Sequence, residues 1–261
     1  MNDTAWDPDQ YERFAAERQQ PFFDLLDLLK PIASPRVVDL GCGTGEPTAN
    51  LHGRLRARET LGIDNSPQML ARAGPHAGDG LRFELGDIAR FEAQAEYDVV
   101  FSNAALHWVE DHAAVLRRWT AALRAGGQLA VQLPANFDHP SHVIADEVAA
   151  EQPFKQALGE APPADPARWV LEPQQYATLL YELGFETPHV RLQVYGHRLS
   201  GTAQVVEWVK GTSLTRFRAR LDEELWERYL RRYSQRLLET LGARAPYFYA
   251  FKRILFHGQL P

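Results

Sequence analysis

Short strand-like runs alternate with helical patterns through the first half of the chain. The runs are Val37 to Leu40, Thr60 to Ile63, Leu81 to Leu85, Tyr97 to Phe101 and Gly127 to Leu133. Such alternation predicts an α/β fold in which a mostly parallel sheet is joined by crossover helices. The clearest helix spans Asp111 to Leu123, where Val115, Leu116, Trp119 and Leu123 share one face, and Gly126-Gly127 reads as its stop. Ahead of the first strand, Phe22, Leu25, Leu26 and Leu29 form a further apolar stripe, ended by Pro31 and Pro35, that reads as a lid helix.

The alternation breaks after Pro134, and the proline-rich stretch Ala161 to Pro166 fits neither a regular helix nor a strand. Helical patterning returns at Pro173 to Leu183. A strand-like run follows at Val190 to Leu199, then helical stretches at Thr202 to Lys210 and Asp222 to Leu241, and an aromatic terminal strand at Tyr247 to His257. The expected organisation is a single domain over residues 1–261, with an N-terminal lid over 1–34 and helical cap insertions at about 135–184 and 201–243.

Composition narrows the partners. The 261 residues are 45% hydrophobic and 24% charged, enough for one large core. A formal net charge of -6 argues against a nucleic-acid binder, which needs a basic face. The one cysteine, Cys42, cannot form an internal disulfide and fits a reducing cytoplasm. Met1 to Pro8 lacks the apolar core of a secretory signal, and no stretch is long and apolar enough to span a bilayer. The expectation is a cytoplasmic chain with a small-molecule substrate, no membrane partner, and a monomeric or weakly dimeric state.

The run Val37 to Gly45 places an apolar strand directly before a loop with glycine at alternate positions, Gly41, Gly43 and Gly45. Glycine there allows a sharp turn and a close backbone approach to a ligand. A dinucleotide fingerprint needs a further glycine three positions after the second, where this chain has Glu46. An acidic residue at a helix N-terminus also disfavours a pyrophosphate. The loop therefore points to a ligand without phosphates.

With Asp39 ahead of its three glycines, this segment resembles motif I of class I S-adenosylmethionine-dependent methyltransferases. The resemblance implies a Rossmann-like sheet with an antiparallel terminal strand and helices on both faces. It implies S-adenosyl-L-methionine as cofactor, S-adenosyl-L-homocysteine as product, and no metal. Asp39 and the loop would then serve the methionine end, and Asp64 with Asn65 the ribose. Asp87 and Ile88 would read and pack the adenine, with Met69 on its other face. Asn103 would stand at the reaction centre and also contact the cofactor. The Pro-Pro-aromatic sequence that nucleic-acid amino methylases carry after such an Asn is missing here.

A closer resemblance, to the trans-aconitate methyltransferases, rests on Trp6-Asp7-Pro8, Tyr11, Phe14 to Arg18, Asn103 to Trp108, Ala130 to Asn136, Tyr195 with His197, and Trp208-Val209. It implies methylation of a carboxylate of trans-aconitate, giving a monomethyl ester. Arg18 would clamp a carboxylate of the methionine moiety or the substrate. Asn103 and His107 are the catalytic candidates. The acceptor pocket would draw on Tyr11, His107, Trp108, Gln132, Asn136, Tyr195, Trp208 and Arg253. The alternative acceptor is another small or carrier-bound carboxylic acid.

Overall fold

The computed structural model describes residues 15–159, 163 and 166–261, with 15–18 and 166 in backbone alone. Tyr11 and the side chain of Arg18 therefore lie outside the described residues. In chain order the elements are α1 (Ala15–Leu26), β1 (Arg36–Leu40), α2 (Glu46–Leu55), β2 (Glu59–Asp64), α3 (Pro67–Ala73), β3 (Leu81–Leu85) and β4 (Tyr97–Asn103). Then come α4 (His112–Ala121), β5 (Leu123–Pro134), α5 (Pro140–Ala149), α6 (Phe154–Leu158), α7 (Pro173–Glu182) and β6 (His189–Leu199). The chain closes with α8 (Gln204–Lys210), α9 (Thr215–Arg218), α10 (Glu223–Leu241) and β7 (Tyr247–Gln259).

The seven strands run in the order β3-β2-β1-β4-β5-β7-β6. β1 to β5 pair in parallel, and β7 lies antiparallel to β5. The fold is thus the Rossmann-like α/β sheet with one inverted terminal strand. Val37, Val38, Leu40, Val99, Val100 and Phe101 are all buried, because a strand covered by helices on both faces turns apolar at every position. The strand order reverses between β1 and β4. The carboxyl ends of those two strands are the usual ligand position in a doubly wound sheet.

The chain divides into two compact units. The sheet unit comprises residues 19–135, 166–193 and 253–261. Its core joins Val38, Leu40, Val100, Leu116, Trp119, Leu129 and Phe256, and the Phe22 ring of α1 meets Phe101 edge-on at 5.6 Å. The second unit is built on 136–165 and 194–252. Its core is aromatic: Phe217, Tyr229, Tyr233 and Tyr249 are all almost fully buried. Polar ends in this core are bonded, with Tyr229 donating to Ala145 O at 2.9 Å and Tyr233 to Ser141 O at 2.8 Å.

One expectation needs correcting. α4 ends at Ala121, and Gly126 and Gly127 do not stop it but lie inside β5. Tyr97 pairs with Leu123 whereas Val99 pairs with Gln128, so β5 carries a bulge that the glycines permit. Gly126 has φ +75°, and a Cβ on Gly127 would stand 2.8 Å from Arg124 O. The helix starts where its cap dictates, with the Asp111 carboxylate accepting from Ala114 N at 3.0 Å.

Trp119 is fully buried on α4, and its indole Nε1 donates to Ile88 O at 3.0 Å, tying the helix to the loop after β3. Trp119→Phe leaves that carbonyl unbonded and a gap in the core. Urea unfolding is expected to show a loss of about 2 to 4 kcal/mol. A loss below about 0.5 kcal/mol would contradict this account of the packing.

Candidate active site

The three glycines of the loop after β1 have different tasks. All have positive φ, at +90°, +55° and +78° for Gly41, Gly43 and Gly45. A Cβ on Gly41 would fall 2.1 Å from the Ala105 Cβ, so Gly41 lets the loop after β4 close onto the end of β1. A Cβ on Gly45 would meet Ala73 and Phe83 at 2.7 and 2.8 Å, so Gly45 seats α2 against α3 and β3. A Cβ on Gly43 would meet nothing within 4 Å. Gly43 alone faces open space, and its backbone is the one a ligand can approach.

Two carboxylates hold this loop. Asp64, at the end of β2, accepts from Gly43 N at 2.9 Å through one oxygen and from Ser66 N at 2.9 Å through the other. Ser66, not Asp64, caps α3, its hydroxyl accepting from Met69 N at 3.3 Å. Asp39 is only 3% exposed, and Thr48 of α2 donates to its Oδ2 at 2.6 Å. Its Oδ1 is buried without a hydrogen-bond partner. Burial pushes the Asp39 carboxyl up to about 7, with the Thr48 bond acting against the shift and the nearby Asp64 charge adding to it. Burial likewise pushes up the thiol of Cys42, with Asp39 and Asp64 adding to the shift.

These features fit the implied S-adenosyl sulfonium. An unbonded buried carboxylate oxygen suits a cationic amino group, and the open face of Gly43 accommodates a ligand that a side chain would displace. Glu46 in the first turn of α2 remains unsuited to a phosphate. Along the same sheet edge, Met69 and Ile88 are buried. Asn65 is exposed, and Asp87 is half-exposed with Oδ1 accepting from Ala89 N at 2.9 Å.

The loop after β4 carries the second half of the site. Ser102 donates to Leu40 O at 2.7 Å, fastening β4 to the end of β1. Ala104 adopts φ +55°, a strained conformation for a residue with a side chain and a common companion of functional loops. Asn103 lies opposite Gln132 of β5 in the parallel register. Gln132 is fully buried and joins two predicted residues; assigned from its neighbours' donor and acceptor character, its amide turns Nε2 to donate to Asn103 Oδ1 at 2.8 Å and Oε1 to accept from Leu133 N at 3.1 Å and Arg253 NH1 at 2.9 Å.

His107 is buried, and its Nδ1 makes no hydrogen bond. Desolvation, then the Arg253 guanidinium and His112, hold it down at about 3, so the imidazole is neutral across the physiological range. Trp169 donates to the His107 carbonyl at 2.8 Å and fixes the loop. Trp108 is 44% exposed, its ring 4.6 Å from that of His107. The structure thus gathers Asn103, His107, Gln132 and Arg253 within the sheet unit.

Asn136, Tyr195 and Trp208 belong to the second unit. Asn136 Oδ1 accepts from Lys252 N at 3.1 Å, and Trp208 packs 4.6 Å from His197 and 5.6 Å from Tyr249. Tyr195 is buried. Sequence reasoning missed Thr48, Ala105 and Trp169. A threonine three positions after the last loop glycine was a visible signal for the first. The other two depend on contacts between distant segments.

Among the described residues no group of three His, Cys, Asp or Glu side chains could hold a metal ion, and no helix is long and apolar enough to cross a membrane.

Comparison with known proteins speaks to the family and the fold. A methyltransferase domain family matches residues 37–127. A trans-aconitate 2-methyltransferase of Deinococcus radiodurans is 42% identical over 261 residues, covering 98% of each chain. Another, from Mycobacterium sp. strain KMS, is 38% identical and covers 95% of this chain and 97% of its own. Among solved structures, the YcgJ protein of Bacillus subtilis has a TM-score of 0.59 at 14% identity, covering 93% of this chain and 98% of its own. A Haemonchus contortus phosphoethanolamine N-methyltransferase 2 in complex with S-adenosyl-L-methionine has a TM-score of 0.56 at 16% identity, covering 93% of this chain and 52% of its own. At those identities the two structures speak for the fold alone.

The division of labour among the glycines is testable. Gly41→Ala is expected to prevent stable folding, because the new Cβ collides with Ala105. Gly43→Ala should fold with a strain cost of about 1 to 2 kcal/mol yet bind S-adenosylmethionine at least about tenfold more weakly. Calorimetry giving wild-type affinity for Gly43→Ala would contradict the assignment of the open face.

Proposed function

The chain belongs to the trans-aconitate 2-methyltransferase family of S-adenosylmethionine-dependent methyltransferases, and from that premise we infer that it transfers a methyl group to a carboxylate oxygen of trans-aconitate. The products are the monomethyl ester and S-adenosylhomocysteine. The observation that carries the reading is near-complete coverage by a 42% identical relative of that activity, together with a loop shaped for a cationic, phosphate-free ligand.

S-adenosylmethionine, when bound, supplies a methyl group on a positively charged sulfur. A carboxylic acid with a pKa near ~4 is already ionised at neutral pH, so the acceptor needs no general base. We assign Asp39 and the Gly43 backbone to the methionine end, Asp64 and Asn65 to the ribose, and Met69, Asp87 and Ile88 to the adenine. His107 is neutral and beside a guanidinium, a poor site for a second positive charge. Its part is to shape the acceptor pocket rather than to take a proton.

Arg253 and Asn103 would hold the anion, since a planar guanidinium matches carboxylate geometry. Trp108 would cover the acceptor. Asn136, Tyr195 and Trp208 enter the proposal through the family resemblance alone, as does a small polycarboxylate as the preferred partner. Rate then depends on in-line placement of oxygen, carbon and sulfur. Attraction between the opposite charges is lost as the methyl moves and cannot by itself speed the step.

An acceptor screen with labelled donor and mass-spectrometric identification of the product tests this reading. Trans-aconitate is expected to give a monomethyl ester, with kcat at saturating cofactor flat from about pH 6 to 8. A steep rise through neutrality would indicate a titrating base, and with it a hydroxyl, amine or thiol acceptor.

A further inference from the structure

The amide groups between β4 and β7 are linked so that each fixes the polarity of the next. Asn103 of β4 lies opposite Gln132 of β5. On the other side of β5, Gln132 lies opposite Leu255 and Pro134 opposite Arg253, so Arg253 is the diagonal neighbour of Gln132 on the same face. The register of three strands therefore brings residues 103, 132 and 253 into one row.

The direction of the row is set at its core. One end of the Gln132 amide faces Leu133 N–H at 3.1 Å and the Arg253 guanidinium at 2.9 Å, and it must be the carbonyl oxygen. Both of these groups can only donate. Gln132 must then turn its Nε2 toward Asn103, and Nε2 can only donate, so Asn103 must turn its Oδ1 toward Gln132, at 2.8 Å. What Asn103 has left is its NH2, a donor. Gln132 is itself fully buried, and both ends of its amide are engaged within the protein.

We infer that Gln132 is a positioning residue that fixes Asn103 and Arg253 as a donor-only pair and so selects an acceptor that arrives as an anion. This inference rests on the methyltransferase reading and deepens it. This pair stabilises a carboxylate but itself offers nothing to accept the proton that a neutral hydroxyl, thiol or amine must release on methylation. With a carboxylate the balance closes without a proton: the C–O bond forms, the C–S bond breaks, and its electron pair returns to sulfur. The neutral, buried His107 beside Arg253 is consistent with a pocket that moves no proton.

Two near-isosteric variants test the inference in the full-length protein loaded with S-adenosylmethionine. Gln132→Met removes all three side-chain hydrogen bonds. Gln132→Glu still accepts from Leu133 N–H and Arg253 but offers Asn103 only an acceptor, so the carboxamide turns its oxygen outward, beside an added negative charge. Both variants are expected to keep the melting temperature high enough to assay and cofactor affinity within about two-fold of wild type. Gln132→Met should lose about tenfold or more in kcat toward the carboxylate acceptor, and Gln132→Glu should in addition raise its KM by about tenfold or more.

Either of two results would overturn the inference. One is folded, cofactor-binding variants that keep kcat/KM within about threefold of wild type. The other is a joint collapse of cofactor affinity and kcat, as a purely structural residue would give. The wild-type control separates this from the substrate reading. Turnover of a different small carboxylate contradicts trans-aconitate alone, and the variant ratios are then read on that acceptor. Turnover of only neutral amines or hydroxyls overturns the donor-only site itself.

Discussion

Burying a carboxylate at the end of a central strand is the constraint around which this protein is organised. Asp39 is enclosed, holds one hydrogen bond from Thr48, and leaves its other oxygen unbonded. Such a group opposes folding unless it is neutralised or meets a cation. Its carboxyl accordingly rises to about 7. The loop beside it is then fixed by Asp64 through the Gly43 amide and by the close approach of Gly41 to Ala105. A cationic ligand relieves what folding leaves incomplete.

From that point the sheet order explains the rest of the site. Because the order reverses between β1 and β4, the glycine loop and the Asn103 loop leave neighbouring strand ends. In the proposed roles, Asp39 and Asp64 beside the glycine loop offer carboxylates to a cation, and Asn103 with Arg253 of β7 offers amide and guanidinium donors to an anion. The two reactants carry opposite charges, and under the proposed roles the protein would meet each with the complementary one. Neutral His107 and protonated Cys42 add no competing charge within this arrangement.

Much of this was legible in the sequence where one segment decides the outcome. Strands buried on both faces appear as apolar runs, so β1, β2 and β4 could be read directly, and the edge strand β3 by its position between helical patterns. The glycine spacing after Asp39 and the carboxylates ending β2 and following β3 stand where the motif places them. Gly126-Gly127 misled because glycine ends helices and also permits strand bulges, and only the pairing of Tyr97 and Val99 with β5 tells the two apart. The link from Asn103 through Gln132 to Arg253 was not legible, since it depends on the register of three strands drawn from distant parts of the chain. The separate tasks of Gly41 and Gly43 likewise appear only when Ala105 is in place.

If Asp39 meets the cation, then binding must ionise it, and the proton it held must leave. Calorimetric titration of S-adenosylmethionine into the protein at pH 6, repeated in buffers of different ionisation enthalpy, measures that proton directly. With the carboxyl at about 7, close to one proton is expected to be released per cofactor bound, and Asp39→Asn should abolish the release. Binding at pH 6 with no proton exchanged by the wild-type protein would contradict the account.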